Sequence, residues 1–431
     1  MRKSKPTPRS LFIAVLCAGL LAACATLKES DKGSGKELGK DSAKATVKEV
    51  RGEAPGAVCS PCPACAPCAA PVTPPPPAKP MQAARWSDLP GWGDDEVSAA
   101  WPAFLHSCRV LLGKPQGPLW RPACDEAKTL DGRDTAALRA FFESRFEPWL
   151  LTNPDGTTSG TITGYYEPLL RGSRTRGKPY LQPVLAVPGD LLTIELGDVL
   201  PDLKNMRLRG RLQGNKVVPY FSRAEIVGRE KDYADRVLLW VDDAVELFFL
   251  QIQGSGRVRL PDGALVRVGY ADQNGHPYQS VGRVLVERGE LKLEQASMQG
   301  IQAWARANPA RLNELLDANP SYVFFRELPA KGSEGDGPPG ALGVPLVAER
   351  SIAVDPRHVP LGAPVFLSTT QPNSATPLRR LMLAQDTGGA IRGVVRADFF
   401  WGFGAEAGAQ AGRMKQMGQM WVLLPPGVAP R

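Results

Sequence analysis

The chain has 431 residues, 52 Lys and Arg against 44 Asp and Glu, and a net charge of +8 at pH 7. A surplus that small over that length gives no basis for binding nucleic acid, which needs a concentrated basic face. The 3 histidines form no H-E-x-x-H pair and no Walker or dinucleotide loop is present, which removes the common zinc-hydrolase and nucleotide-binding patterns.

The N-terminus is basic, with Arg2, Lys3, Lys5 and Arg9, followed by an apolar run over residues 11–23. That run is too short to cross a bilayer and reads as a signal peptide covering residues 1–23. It ends in "LAAC", which resembles the lipobox of bacterial lipoproteins and implies cleavage before Cys24 and lipidation of that cysteine. Ala25, rather than Asp, follows the cysteine, which points to the outer membrane, facing the periplasm. Losing residues 1–23 leaves 48 basic and 44 acidic side chains, a net +4.

Residues 24–84 are expected to be the lipidated cysteine and a linker rich in Lys, Gly, Pro and Cys that cannot build a core. A flexible chain of that length averages about 40 Å end to end. Within it Cys59, Cys62, Cys65 and Cys68 recur at every third position. The repeat resembles part of a ferredoxin run, but lacks its closing three-residue gap. In an exported protein disulfides are the better reading. Cys108 and Cys124 supply another candidate pair, and spacing alone does not choose the pairing. No metal and no cofactor is expected.

From Arg85 onward the chain is long enough for two domains. "DTAALRAFFESRFEPW" predicts a helix with Asp134 as N-cap and Leu138, Phe141, Phe142 and Phe146 on one face. Ser222 and Glu225 have capping-box spacing. "SMQGIQAWARANPARLNELLDANP" predicts one or two helices closing at Asn319-Pro320. Strands are expected at 237–241, 264–268, 351–354, 364–368, 381–384, 394–397 and 420–424. Few, clustered helices and many glycine turns suggest α+β with a barrel rather than alternating βαβ units.

The stretch "AQDTGGAIRGVVRADFFWGFG" places Asp386 and Asp398 in an otherwise apolar, glycine-rich and basic segment. A buried carboxylate is costly unless paired, hydrogen-bonded or protonated, so these acids either hold a turn or do chemistry. Asp-Thr-Gly, the aspartic-protease tripeptide, occurs only once. The "GSG" at 254–256 lacks the G-x-S-x-G spacing of a serine nucleophile.

"AVDPRHVPLGAPVFL", "AQDTGGAIRG" and "RADFFWG" resemble the three-aspartate pattern of cell-wall-active barrel domains, with Asp355, Asp386 and Asp398 as the acids. With "TGYYEP", "FFLQIQGSGRV", "PYQSVGR" and "NPSYVFFRE" upstream, residues 85–431 resemble the membrane-bound lytic murein transglycosylase A family. The resemblance implies a mainly β fold with some α: a double-psi β-barrel (85–168 and 316–431), a second β domain inserted at 169–315, and a groove between them. It implies a carbon–oxygen lyase acting on peptidoglycan glycan strands. The enzyme would cleave the β-1,4 bond between N-acetylmuramic acid and N-acetylglucosamine without water and leave a 1,6-anhydro end. The membrane would be a partner through the lipid; proteins of cell-wall synthesis or division fit the setting, but no motif identifies one.

For this reaction one carboxyl suffices, first as acid and then as base toward the sugar's own C6 hydroxyl. Asp398 is expected to be that group, ending an apolar strand, with Phe399, Phe400 and Trp401 excluding water and facing a sugar. Asp386, ending the neighbouring strand, is expected to tune it and is the second catalytic candidate. The resemblance places Thr163, Tyr165, Tyr166, Gln253, Gly254, Ser255 and Asp355 at the substrate, while Asp355, before Pro356, also suits an Asx-turn. It assigns no role to Glu167. Other readings are a two-carboxylate glycan hydrolase and a non-catalytic, expansin-like wall-binding protein.

Overall fold

The computed structural model describes residues 78–203, 206, 208–329 and 337–428. The signal segment, Cys24 and the four linker cysteines lie outside the described residues.

The chain enters through β1 (Met81–Ala83), three helices α1 (Trp101–Leu111), α2 (Gly117–Glu126) and α3 (Thr135–Arg145), then β2 (Glu147–Leu151) and β3 (Gly160–Glu167). The middle of the chain holds β4 (Leu169–Ser173), β5 (Gln182–Leu185), β6 (Leu192–Ile194), β7 (Leu208–Gln213) and β8 (Lys216–Pro219). After α4 (Arg223–Gly228) come β9 (Val237–Val241), α5 (Ala244–Gln253), β10 (Ser255–Arg259) and β11 (Leu265–Gln273). Then follow α6 (Val281–Glu287), α7 (Met298–Ala307), α8 (Leu312–Asp317) and β12 (Val323–Glu327). The last part is β13 (Ser351–Val354), β14 (Pro364–Thr370), β15 (Pro377–Asp386), β16 (Ala397–Phe403), α9 (Gly404–Ala411) and β17 (Lys415–Leu424).

The strands run β17-β14-β15-β13-β16-β3, and β3 pairs back onto β17, closing a six-stranded barrel. Pairs β13–β15 and β16–β3 are parallel; the other barrel pairs are antiparallel. Closure leaves no free edge in the barrel. The middle segment builds a sheet β12-β11-β10-β4-β9-β5, whose ends approach through a parallel bridge between Ala186 and Phe325. A three-stranded sheet β6-β7-β8 accompanies it. The fold is therefore the expected mainly β barrel with a second β unit inserted. Between the two lies a cleft of about 200 Å³, lined by Gly164, Tyr166, Gln253, Tyr278, Met298 and Ala411.

Local rules account for several elements. Asp134 caps α3 by accepting from the amide of Ala137, and Leu138, Phe141 and Phe142 are buried as expected. The rings of Phe141 and Phe142 pack edge-on against Trp101 and Phe104 of α1. A disulfide joins Cys108 on α1 to Cys124 on α2. Ser222 and Glu225 form the expected capping box on α4.

Three boundaries shift. Met81–Ala83 pairs with β2, so the folded body starts inside the segment expected to be linker through residue 84. The inserted sheet runs on past residue 315, because Val323–Glu327 pairs with β11. The strand expected at 394–397 begins at Ala397 instead: the preceding loop turns at Gly393 (φ 117°), whose amide donates to Asp355. Helices are also more numerous than expected. α5 is one of these, capped by Asp243, which accepts the amides of Val245 and Glu246, and ended by Gly254 at φ 79°.

Candidate active site

The site lies on one face of the barrel wall around β13. Ile162, Ile352, Val354 and Phe399 point into the main core. The alternation of a strand therefore turns Thr163, Tyr165, Ala353, Asp398 and Phe400 to the other face. There Tyr165, Ala353 and Phe400 form a separate small cluster with Leu346 and Ile391.

Ala353 stands opposite Asp398 on β16 and opposite Asp386 on β15. The pairing of β15 slips by one residue between Ile352 and Ala353, and that bulge brings Asp386 rather than Gln385 level with Ala353. The two acids flank one strand, so their backbones lie about two strand spacings, roughly 9–10 Å, apart. They come together as expected, but with β13 between their strands. Asp398 is the second residue of β16, not the last of a strand.

Asp398 Oδ1 accepts the Thr163 hydroxyl at 2.6 Å. Thr163 Oγ1 in turn accepts from Arg396 Nη2 at 2.9 Å, which leaves its proton for the carboxylate. Oδ2 of Asp398 has no protein partner among the described residues. Burial pushes the Asp398 carboxyl up to about 6, with Asp386 adding to the rise, while Thr163 and Arg396 pull against it.

Asp386 Oδ1 accepts the amides of Ala341 and Thr387, both at 2.9 Å, and Oδ2 accepts the Tyr165 hydroxyl at 3.0 Å. Tyr165 is itself buried, its ring 5.1 Å from that of Phe400. Burial and the two aspartates hold its hydroxyl protonated, well above the usual range. It is a strut to Asp386 rather than an open stacking face. Phe399, Phe400 and Trp401 are buried too, at 0%, 1% and 8% exposure, so they exclude water but do not face a sugar.

Of the remaining candidates, Tyr166 and Gln253 meet at the cleft between the two β units, and the others lie apart from it. Tyr166 lies on the opposite face of β3, in the main core, with its hydroxyl on the Met298 sulfur at 3.3 Å. Gln253 ties α5 to β3 by accepting the Tyr166 amide at 3.1 Å. Gly254 is the left-handed cap of α5, not a hairpin turn, and buried Ser255 opens β10. Asp355 is fully buried; burial alone would raise its carboxyl, but Arg357 and the amides of Gly393 and Arg357 hold it far below the usual range. It fixes the loop leading into β16, as the Asx-turn reading has it, and makes no contact that places it at a substrate. Glu167, buried and held by Arg257 at 2.9 Å, is raised by that burial.

Arg396 was not among the sequence candidates. Its signal was available: it stands two positions before Asp398 in "RAD", the spacing that puts residues of an extended chain on one side. Among the described residues, no group of three His, Cys, Asp or Glu is placed to hold a metal ion.

Comparison with known proteins bears on this geometry. Residues 161–326 match the family model described as the MltA specific insert domain, and residues 350–424 match the 3D domain. Membrane-bound lytic murein transglycosylase A of Escherichia coli K12 is 34% identical over 304 residues, spanning 68% of this chain and 72% of that protein. The monoclinic crystal structure of MltA from Neisseria gonorrhoeae matches with a TM-score of 0.70 and 39% identity, over 81% of this chain and 94% of that one. E. coli MltA with bound chitohexaose matches with a TM-score of 0.62 and 28% identity, over 81% and 96%. A relative this similar over most of its length, together with both domain models in order, makes the chain a member of the membrane-bound lytic murein transglycosylase A family.

Proposed function

We propose that the protein cleaves peptidoglycan glycan strands at the bond between N-acetylmuramic acid and N-acetylglucosamine, releasing 1,6-anhydro ends, with Asp398 as sole acid and base. Family membership makes it a lytic murein transglycosylase. The finer reading rests on one observation: a carboxyl pushed up to about 6, with one oxygen held by Thr163 and the other without a protein partner. In the first step Asp398 gives its proton to the leaving glycosidic oxygen. The resulting carboxylate then takes the proton of the C6 hydroxyl as that oxygen attacks C1. The nucleophile is already part of the sugar, so no water need be positioned. The bound glycan of the E. coli relative supports a glycan strand as substrate.

Asp386 fits a fixed negative charge better than a second base, since both its oxygens already accept hydrogen bonds. This favours transglycosylation over a two-carboxylate hydrolase. Digestion of purified peptidoglycan followed by mass spectrometry decides between them. Anhydro ends weigh one water less than reducing ends; reducing ends alone would overturn the reading.

A pH prediction follows from the same pair. Activity needs protonated Asp398, so turnover falls as pH rises past about 6. Asp386→Asn removes a charge that raises this group, so the alkaline fall moves to lower pH while turnover survives. A profile that stays in place or moves upward would remove Asp386 from this role.

Attachment is proposed from the lipobox. Among the described residues no helix is long and apolar enough to cross a membrane. Cys24→Ala is expected to release the protein from outer membranes with catalysis intact, as read by fractionation and glycan digestion. Continued membrane attachment would refute the anchor.

A further inference from the structure

Asp355 and Asp398 are both enclosed acids of the barrel with an arginine nearby, but the two arginines reach them differently. Arg357 holds Asp355 directly: Nε donates to Oδ1 at 3.0 Å and to Oδ2 at 3.2 Å, and Nη2 donates to Oδ2 at 2.5 Å. Both oxygens are taken, so that carboxylate has nothing left to offer a substrate. Arg396 stops one hydroxyl short of Asp398. Its Nη2 donates to Thr163 Oγ1 at 2.9 Å, and Thr163 donates onward to Asp398 Oδ1 at 2.6 Å. No salt bridge joins Arg396 and Asp398 directly among the described residues. Nη1 of Arg396 donates to the carbonyls of Thr161 on β3 and Ala397 on β16. Those carbonyls pin the guanidinium across two neighbouring strands and keep it off the carboxylate.

This chain of donors has a fixed direction. A threonine hydroxyl carries one proton and two lone pairs, and a guanidinium only donates. Arg396 therefore occupies a lone pair of Thr163, and the hydroxyl proton is committed to Asp398 Oδ1. Oδ1 is then an acceptor whether the carboxyl is ionised or not. A proton on this carboxyl sits on Oδ2, the oxygen with no protein partner among the described residues.

We propose that Arg396 is a positioning residue for the reaction: acting through Thr163, it confines the proton of Asp398 to Oδ2, so that both proton transfers pass through that one oxygen. The inference rests on the reading of Asp398 as acid and base. As the bond from C1 to the leaving oxygen breaks, the Oδ2 proton goes to that oxygen. As the C6 oxygen bonds to C1, its proton returns to Oδ2. Throughout, Oδ1 keeps the Thr163 hydroxyl, and the carboxylate formed between the two transfers has a cation one hydroxyl away. The same placement sets the pH range. Burial raises the Asp398 carboxyl, Thr163 and Arg396 lower it, and Asp386 raises it. An arginine in direct contact with both oxygens, as at Asp355, would favour the ionised form further and cover Oδ2. The other titratable groups facing Asp398 are Tyr165 on β3 and Asp386 on β15, while β13 brings only Ala353 level with it. On β17 the exposed Lys415 stands opposite Thr163.

The test is turnover of purified glycan strands across pH, read as anhydro products, with melting temperatures in parallel. Arg396→Met should move the alkaline fall to higher pH by about one unit, because a cation that lowers the acid is gone. That shift is opposite to the one expected for Asp386→Asn. Turnover at the best pH should fall about tenfold to a hundredfold, since Thr163 is then free to turn its proton away from Oδ1. Thr163→Val, which removes only the hydroxyl, should shift the profile the same way with a similar loss, and Thr163→Ser should restore both. Arg396→Met combined with Thr163→Val should be about as slow as the worse single variant, because the arginine acts through the hydroxyl. An arginine that merely ties β3 to β16 would lower the melting temperature and leave the alkaline fall in place. That result, an unmoved profile in Thr163→Val, no rescue by Thr163→Ser, or losses that multiply in the double variant would each overturn the proposal. Should Arg396→Met not fold, the two threonine variants decide the matter. Absent anhydro products from the unaltered chain would instead sink the glycan reading, and this inference with it.

Discussion

Asp398→Asn is expected to stop the release of anhydro products while leaving the fold intact. The amide oxygen of asparagine can still accept the Thr163 hydroxyl, and Arg396 still donates to Thr163, so the geometry around the side chain is kept. What disappears is the proton that must leave the side chain in one half of the reaction and return in the other. General acid–base groups contribute about 10²–10⁴-fold, and a group used twice should reach at least the upper end. The same substitution carries a stability signature of opposite sense. The folded Asp398 carboxyl is raised from 3.8 to about 6, chiefly by burial. A raised acid favours folding fully only below its unfolded value, and that contribution is lost as pH rises through the folded one. At pH 7.5 the native protein therefore bears the cost of a buried carboxylate, on the order of 1–3 kcal/mol. Asp398→Asn should melt higher than the unaltered protein at pH 7.5, and the gap should close toward pH 4. Loss of turnover with a gain in melting temperature is a pair of effects that a merely structural residue does not give. Turnover above a tenth of normal, or a lower melting temperature at pH 7.5, would move the acid to another residue.

How much of this was legible in advance depends on how local the causes are. The Asp134 cap, the capping box at Ser222, and strands such as Val237–Val241 and Ser351–Val354 were readable, because each is specified within a few residues. The pairing of Asp386 with Asp398 was readable as well, since two acids in an apolar run demand a reason. Side-chain facing was not readable. Tyr165 and Tyr166 are adjacent and look equivalent, but one reaches Asp386 and the other Met298, because successive strand residues face opposite ways. Which of the two faces the acids is fixed by the register of β3 against β16, where Thr163 stands opposite Asp398. The aromatic run after Asp398 misled for a related reason: on a closed barrel wall with a cluster on its other side, both faces of the strand are covered. The late start of β16 reflects Asp355, whose carboxylate takes the Gly393 amide and holds that chain in a loop despite its two valines.

Asp95 was silent in the sequence, since its partner lies 255 positions away, yet Asp95→Ala should produce the largest loss of stability. Both oxygens of Asp95 accept from Arg350 Nη1 at 2.9 Å, and Oδ2 also accepts the Leu381 amide at 2.7 Å. Arg350 further donates to the carbonyls of Leu381 and Glu96. Asp95 and Arg350 are each 6% exposed, so the pair joins the segment leading into the N-terminal helices to barrel strand β15 with almost no water present. Removing the carboxylate leaves a buried guanidinium without a counter-charge, which costs about 3–5 kcal/mol. Domains are stable by only about 5–15 kcal/mol, so this is a large part of the total. The Arg145–Glu126 pair on the surface, with side chains 44% and 31% exposed, is the control: Glu126→Ala should cost about 0–1 kcal/mol. Urea unfolding of both variants measures the contrast. The loss should also be a property of the orphaned charge rather than of a missing bond. Asp95→Leu combined with Arg350→Met should therefore recover much of what Asp95→Ala loses, because two apolar side chains leave no charge to desolvate. If Asp95→Ala cost less than about 1 kcal/mol, or if the double substitution were as damaging as the two single losses added together, the ion pair would not be what fastens the helical layer to the barrel.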